Sequence, residues 1–369
     1  MATVGGILKA ERQRAGGQIK AMASRCGVSR SYLANMEDGR RPVTRRIVAI
    51  YGEVYPDMMR RREVIAFLAA AATVTPAVLA LDLEAALASE ATGLRGLDDW
   101  RQVLSTRATD YMSIAKVPTV RAGLFGDLTI LRSGRSTPRH LELTSRFATL
   151  FGQTSPTSTG PQNAIGWFER GIAHADASGD NAAQVWSRAR AAQVLESTPE
   201  LHPRALRWAE EAVAVAQQPT TGLVWAHLTR AALGARDDRE LSGELDAADR
   251  ALAVSGSDSA GSDYDIAYWR HQVSVSGILA GLGHPRAAAV TDKAEAVLPA
   301  GHARYAVHLQ LHRAAIEHDA GDRAGARQRA REAYDRLPAD QRSLSMRTFL
   351  GELAGEHRPH RPIVLKRRW

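Results

Sequence analysis

The 369-residue sequence contains one cysteine, Cys26, so no disulfide framework can form within the chain and a reducing, cytoplasmic setting fits it. Lysine is nearly as scarce. Lys9, Lys20, Lys116, Lys293 and Lys366 are the lysines among 48 cationic residues, and with the abundant alanine this arginine bias fits a GC-rich coding genome. Aromatic residues make up 6% of the chain. Long apolar runs are absent but for 63–81, EVIAFLAAAATVTPAVLAL, which follows Arg60-Arg61-Arg62. Twin arginines before an apolar run resemble an export signal or a short anchor, but Glu63, Thr73, Thr75 and Pro76 interrupt this one, and a span needs about 20 apolar residues. An Ala-rich connector helix is the expected reading, with no membrane partner.

Catalytic constellations are missing too. There is no P-loop, no Gly-x-Gly-x-x-Gly after a strand, no His-Glu-x-x-His and no cysteine pair. His308 and His312 stand four apart, the spacing of a helical metal pair, yet no third ligand follows at a clear spacing. A non-enzymatic protein without metal or cofactor is therefore expected.

What is present begins with charge. The formal net charge is +8, and residues 1–62 carry it all, with 13 Lys/Arg against five acids. Concentrated positive charge of this kind is the footprint of a phosphate-binding surface. The same segment holds Gly27-Val28-Ser29-Arg30-Ser31-Tyr32-Leu33-Ala34-Asn35-Met36-Glu37-Asp38-Gly39-Arg40-Arg41-Pro42. Ser29 suits a helix N-cap, and Gly39 with Pro42 suits an end. Leu33, Met36 and the stem of Tyr32 fall on one side and Arg30, Ser31 and Asn35 on the other, as in a helix that enters a DNA major groove. Residues 3–15 and 18–25 read as two preceding helices, with a fourth from Thr44 to Tyr51 and a fifth from near Pro56.

The run MASRCGVSRSYLANMEDGRRPV resembles the helix-turn-helix of the XRE, or lambda-repressor/Cro-C1-like, regulators. Met22 through Ser29 matches the phrase that ends that family's second helix, and Glu37 through Pro42 matches the close of its recognition helix. The resemblance implies that Arg30, Ser31 and Asn35 reach base edges, Arg toward guanine and Asn toward adenine. Arg30 could instead clamp phosphate alone, and Asn35 could satisfy a local backbone group. Tyr32, Arg40 and Arg41 would grip phosphates at the flanks, and Ser29 would cap the helix beside them. The family often begins its second helix with Thr-Gln; this chain has Gln18-Ile19, which leaves Gln18 as the phosphate contact there. Family members bind as homodimers to palindromic double-stranded operators.

Beyond residue 62 the expected order is a connector helix at 63–81, a helical bundle at 82–152, helix pairs at 153–356 and a basic tail at 357–369. The Thr-, Ser-, Gly- and Pro-bearing stretch 153–161 reads as a flexible link. In the last pair, Ala314, Gly321-Asp322, Ala326, Ala333 and Pro338 are spaced by seven, five, seven and five residues. This resembles the tetratricopeptide (TPR) consensus, and Ala173, Ala212, Ala251, Ala296 and Ala333 mark earlier second helices at uneven intervals. The expected fold is all-α: a lambda-repressor-like domain followed by a TPR-like α-solenoid.

In TPR arrays the first helix of each pair lines a groove. That resemblance points to Gln184, Trp186 and Arg188, to Trp225, His227 and Arg230, to Tyr264, Tyr268 and His271, and to His308, Leu311, Ala315 and His318. Such a mixture suits a peptide or a small anionic effector, although many of the aromatics could equally be core. The two-part arrangement is similar to the peptide-responsive regulators of Gram-positive bacteria. The alternatives are an interaction adaptor whose partner is a protein and an enzyme with an unrecognised helical active site.

Overall fold

The computed structural model describes residues 4–38, 40, 41, 47, 50, 51, 54, 96–112, 117–131, 136–158, 160–256 and 263–355, and among these there is no strand. The chain separates into two compact units, Met1–Leu94 and Arg95–Trp369.

In the first unit, α1 (Val4–Arg14), α2 (Ile19–Cys26) and α3 (Arg30–Glu37) form in turn. Gly27 ends α2 in the left-handed region (φ 65°), a conformation that glycine adopts without strain, and its N–H returns to Ala23 and Ser24 carbonyls. Two residues later Ser29 caps α3, its Oγ accepting from the Tyr32 N–H at 3.1 Å. Leu8, Met22, Ala23, Cys26, Leu33, Met36, Ile47 and Tyr51 make one apolar core. Cys26 therefore acts as a small buried hydrophobe. Ile47, Ile50, Tyr51 and Val54 are helical. The expected fifth helix near Pro56, the connector at 63–81 and the tail at 357–369 lie outside the described residues.

The second unit is a row of helices: α4 (Leu97–Met112), α5 (Val117–Leu131), α6 (Pro138–Ser158), α7 (Pro161–Ser178), α8 (Asn181–Leu195), α9 (His202–Val215), α10 (Thr221–Leu233), α11 (Asp238–Ser255), α12 (Tyr268–Gly281), α13 (Ala287–Val297), α14 (Ala303–Asp319), α15 (Arg323–Asp335) and α16 (Leu344–Ala354). Side chains of Asp180, Thr220, Asp237, Asp322 and Ser343 cap five of their N-termini. From α6 onward each helix packs on the next except α11 on α12, and α6, α8, α10, α12, α14 and α16 also pack one on another in succession. This is solenoid-like packing: one helix of each pair forms an inner row, and its mate lies behind it.

Small residues set the spacing. Ala175, Ala212, Ala251, Ala294 and Ala333 are buried in successive second helices, at intervals of 37, 39, 43 and 39 residues. Ala173 and Ala296, the positions expected from sequence, are exposed. Each lies two residues from the buried alanine, a shift of about 200° around a helix. Gly222 serves the same purpose between α8 and α10, since a Cβ there would fall 2.7 Å from the Trp186 backbone. The stretch expected as a flexible link is helical through Ser158. Gln153, Thr154 and Ser155 are buried there and bond to other buried groups, which overrides their turn preference.

Candidate nucleic-acid interface and ligand cavity

In the first unit α3 is held from behind. Leu33 and Met36 are in the core, and Glu37 is buried against Arg12 of α1. Arg12 donates from Nε and Nη2 to the two Glu37 carboxylate oxygens at 2.7 Å each, and from Nη1 to the Gly17 carbonyl at 2.8 Å. The Tyr51 hydroxyl donates to the same carboxylate, and burial together with that bond pushes the phenol well above its ordinary range. At the surface Lys9 pairs with Asp38 at 2.8 Å, holding that carboxyl below its usual value. The α3 axis is thus fixed at its C-terminal end by two ion pairs of very different burial.

The outward side carries the sequence-selected residues. Ser29, Arg30 and Ser31 are exposed, and Arg30 and Ser31 make no side-chain hydrogen bond among the described residues. Asn35 and Tyr32 are half-buried. The Asn35 carbonyl accepts from the N–H groups of Arg40 and Arg41 at 2.8 and 3.1 Å, so the chain turns back immediately after α3. The Arg41 guanidinium lies 5.0 Å from the Tyr32 ring centroid, a cation–π contact that holds both beside the helix. Arg40 is exposed. Gln18 is exposed at the N-cap of α2 and makes no capping bond, which leaves its amide available.

In the second unit the inner row surrounds a cavity of about 380 Å³. Its wall draws on α4, α6, α8, α10, α12, α14 and α16, with His202 at the start of α9, and on none of α7, α11, α13 and α15. The row curls enough for its ends to meet. Arg304 of α14 bonds to the Tyr111 carbonyl of α4 at 3.2 Å, and Thr348 of α16 bonds to the Ser197 carbonyl at 3.1 Å.

The wall is unusually charged for a helical interior. Arg190 and Arg270 both donate to Oδ1 of Asp263, at 2.7 and 2.8 Å, and Gln153 donates to Oδ2 at 2.9 Å. Burial alone would raise Asp263, but the two guanidiniums override it and hold the carboxyl below its usual value. The same two guanidiniums lie 4.6 and 4.7 Å from the Trp225 ring centroid. Burial pushes Glu196 up to about 7, with Thr229 donating to it at 3.1 Å. Burial also keeps His308 and His312 neutral, at about 4 and about 3. His312 Nδ1 lies 2.9 Å from Ser276 Oγ, and among the described residues no group of three His, Cys, Asp or Glu side chains could hold a metal ion.

Of the effector residues selected from sequence, Trp225 and His308 line this cavity. Leu311 packs in the core formed with α15 and α16. Arg188 is held by Asp176 and Glu211, Arg230 by Glu244, and His271 is buried with Nε2 3.5 Å from Asp249. Gln184 is half-buried and Tyr268 exposed, with Lys293 Nζ 5.4 Å from its ring. The charged cavity groups Arg190, Glu196, Arg270 and Arg304 were not singled out. A signal existed, because Arg304, His308 and His312 are four apart, as are Arg270 and Ser274, the spacing of one helix face.

The profile of the helix-turn-helix domain family matches residues 4–56, which contain α1, α2 and α3. Neither the curated proteins nor the solved structures give a match to the chain. Among the described residues no helix is long and apolar enough to cross a membrane. The N-terminal unit thus contains a helix-turn-helix of the kind found in DNA-binding regulators, and the second unit rests on its own geometry.

Proposed function

We propose that the protein is a sequence-specific transcriptional regulator of the XRE type, binding a palindromic operator as a homodimer, with a TPR-like array that binds an effector and alters operator affinity. The observation that carries this reading is the presentation of α3. Its back is fixed in a core and by the Arg12–Glu37 pair, while Arg30 and Ser31 stand exposed and unpartnered in the segment that holds the whole net charge. Arg30 would read guanine O6 and N7, Asn35 an adenine, and Ser31 would be permissive. Arg40, Arg41, Tyr32 and Gln18 would bind phosphates and set the register.

A single domain of this size makes too small an interface for useful specificity, which supports a dimer on half-sites about one helical turn apart. The charged cavity within the second unit favours a ligand over a purely structural array. An effector would act by binding one arrangement of the dimer better than another.

The test is selection of operators from random duplex DNA by the full-length protein, followed by gel shifts across a salt series. A palindromic consensus bound with a steep negative salt slope is expected. Recovery of no consensus, with weak salt-insensitive binding, would overturn the DNA-reading assignment.

A further inference from the structure

The cavity of the second unit contains more positive charge than its own acids answer. Arg190, Arg270 and Arg304 all line it, and Asp263 is shared between the first two. Arg304 has no carboxylate partner among the described residues. Glu352, the other carboxyl of the wall, answers one guanidinium at most, and Glu196, raised to about 7, is protonated for much of the time near neutrality and leaves the third without a full counter-charge. Arg304 is half-buried at the cavity wall and bonds there to a neutral carbonyl, which leaves its charge for an anion from outside.

A second, independent observation points the same way. Nε of Arg270, Nε of Arg304 and Nε1 of Trp225 are buried and have no hydrogen-bond partner, and all three side chains line the cavity. Arg270 and Trp225 are 4% and 3% exposed. Buried donors are nearly always satisfied, and here three unsatisfied ones belong to side chains of one cavity wall. A guanidinium with Nε free can present its side edge to an oxyanion in the two-point manner that arginine favours.

The remaining wall sets the body of the ligand. Tyr305, Phe349, Leu228, Val273 and Ile278 supply rings and branched aliphatic groups, while neutral His308 adds a polar group that can donate or accept. The volume of about 380 Å³ lies at the small end of the range for metabolite-sized ligands and leaves little room for an extended peptide.

We propose that this cavity binds a small organic carboxylate, its head held by Arg304 and Arg270 and its ring-bearing or branched apolar body set against Trp225, Tyr305 and Phe349. This deepens the sensor reading above and rests on it for its regulatory meaning. The binding itself can be tested without DNA.

The test uses the full-length protein and the fluorescent arylsulfonate anilinonaphthalenesulfonate, titrated at neutral pH and then displaced by phenylacetate, decanoate, phenylacetamide or inorganic phosphate. One saturable site is expected, displaced by the carboxylates and at least tenfold less well by the amide and by inorganic phosphate. Arg304→Gln should weaken probe binding at least tenfold with an unchanged melting curve, Arg304→Lys should recover part of it, and Ser345→Trp should block the space from α16. Equal displacement by carboxylate and amide would overturn the anion assignment, as would unchanged probe binding in both Arg304→Gln and Ser345→Trp. Displacement by inorganic phosphate alone would show a bare anion site in place of the one proposed. Intact operator binding without a saturable probe site sinks this inference alone, whereas probe binding without operator binding sinks the regulator reading and leaves the cavity assignment standing.

Discussion

Arg12 and Glu37, 25 residues apart, join α1 to the last turn of α3 through two parallel hydrogen bonds of 2.7 Å, with both side chains less than a tenth exposed. A buried pair of this kind stabilises little relative to an apolar pair of equal volume, but it is strongly unfavourable to break. Glu37→Ala leaves a buried guanidinium and the Tyr51 hydroxyl without their acceptor. The expected cost is about 3–5 kcal/mol, whereas the triple substitution Arg12→Met, Glu37→Leu and Tyr51→Phe, which removes the guanidinium and the hydroxyl together with their acceptor, should cost much less. Hydrogen exchange at the Leu33 and Met36 amides in the full-length protein measures the difference. Equal protection in Glu37→Ala and the parent would show that the pair does not hold α3.

Base reading and phosphate binding separate by substitution. Arg30→Ala should weaken binding to a selected operator by about 1–3 kcal/mol and relax one base position, with little change in salt slope. Arg40→Ala, beside the chain reversal after α3, should weaken all sequences alike and reduce the slope by about 1. Operator selection repeated with each variant, together with gel shifts at several salt concentrations, reads both effects. If Arg30→Ala behaved as Arg40→Ala does, Arg30 would be a phosphate clamp.

The helix-turn-helix was legible because its code is local. Gly27 has to take a left-handed conformation, Ser29 has to cap, and Leu33 and Met36 have to face inward; all three requirements lie within ten residues. The all-helical class and the paired array were also legible, through small residues and caps. The cavity wall was less so, because position on a helix face changes by about 100° per residue. Tyr268 and His271 flank Arg270, yet they point to solvent and toward Asp249 while Arg270 faces the cavity. The Asp263 bridge could not be read at all. It joins Gln153, Arg190 and Arg270 across up to 110 residues, and no local pattern records that.

Two glycines in neighbouring helices should respond to alanine with opposite signs. At Gly222 a Cβ would lie 2.7 Å from both N and Cα of Trp186, and backbone cannot move aside as a flexible side chain can. Gly222→Ala should destabilise the second unit by about 1–3 kcal/mol. Gly243 is exposed within α11 with open space around its would-be Cβ. Gly243→Ala should stabilise by about 0.5–1 kcal/mol, through helix propensity and a less flexible unfolded chain. Urea midpoints followed by tryptophan fluorescence compare them; a loss in both would mean that α11 is not a free helix face.

The cavity acids and bases should give the second unit two opposed pH dependences. Burial depresses His308 and His312 to about 4 and about 3, so between pH 6.5 and those values the unfolded chain binds protons that the folded one refuses. Their contribution is fully present above pH 6.5 and is lost as pH falls through that window. Glu196 works the other way. Raised from 4.5 to about 7, it holds a proton in the folded protein that the unfolded chain has already released. Its contribution is present below pH 4.5 and is lost as pH rises to about 7. Glu196→Gln should therefore flatten the stability loss between pH 5 and 8, and His312→Asn should flatten the loss below pH 6.5. Urea midpoints of parent and variant at each pH isolate the two groups. Parallel curves for Glu196→Gln and the parent across pH 5–8 would show that Glu196 is ionised and solvated, and the excess cationic charge assigned to the cavity would then have to be reduced by one.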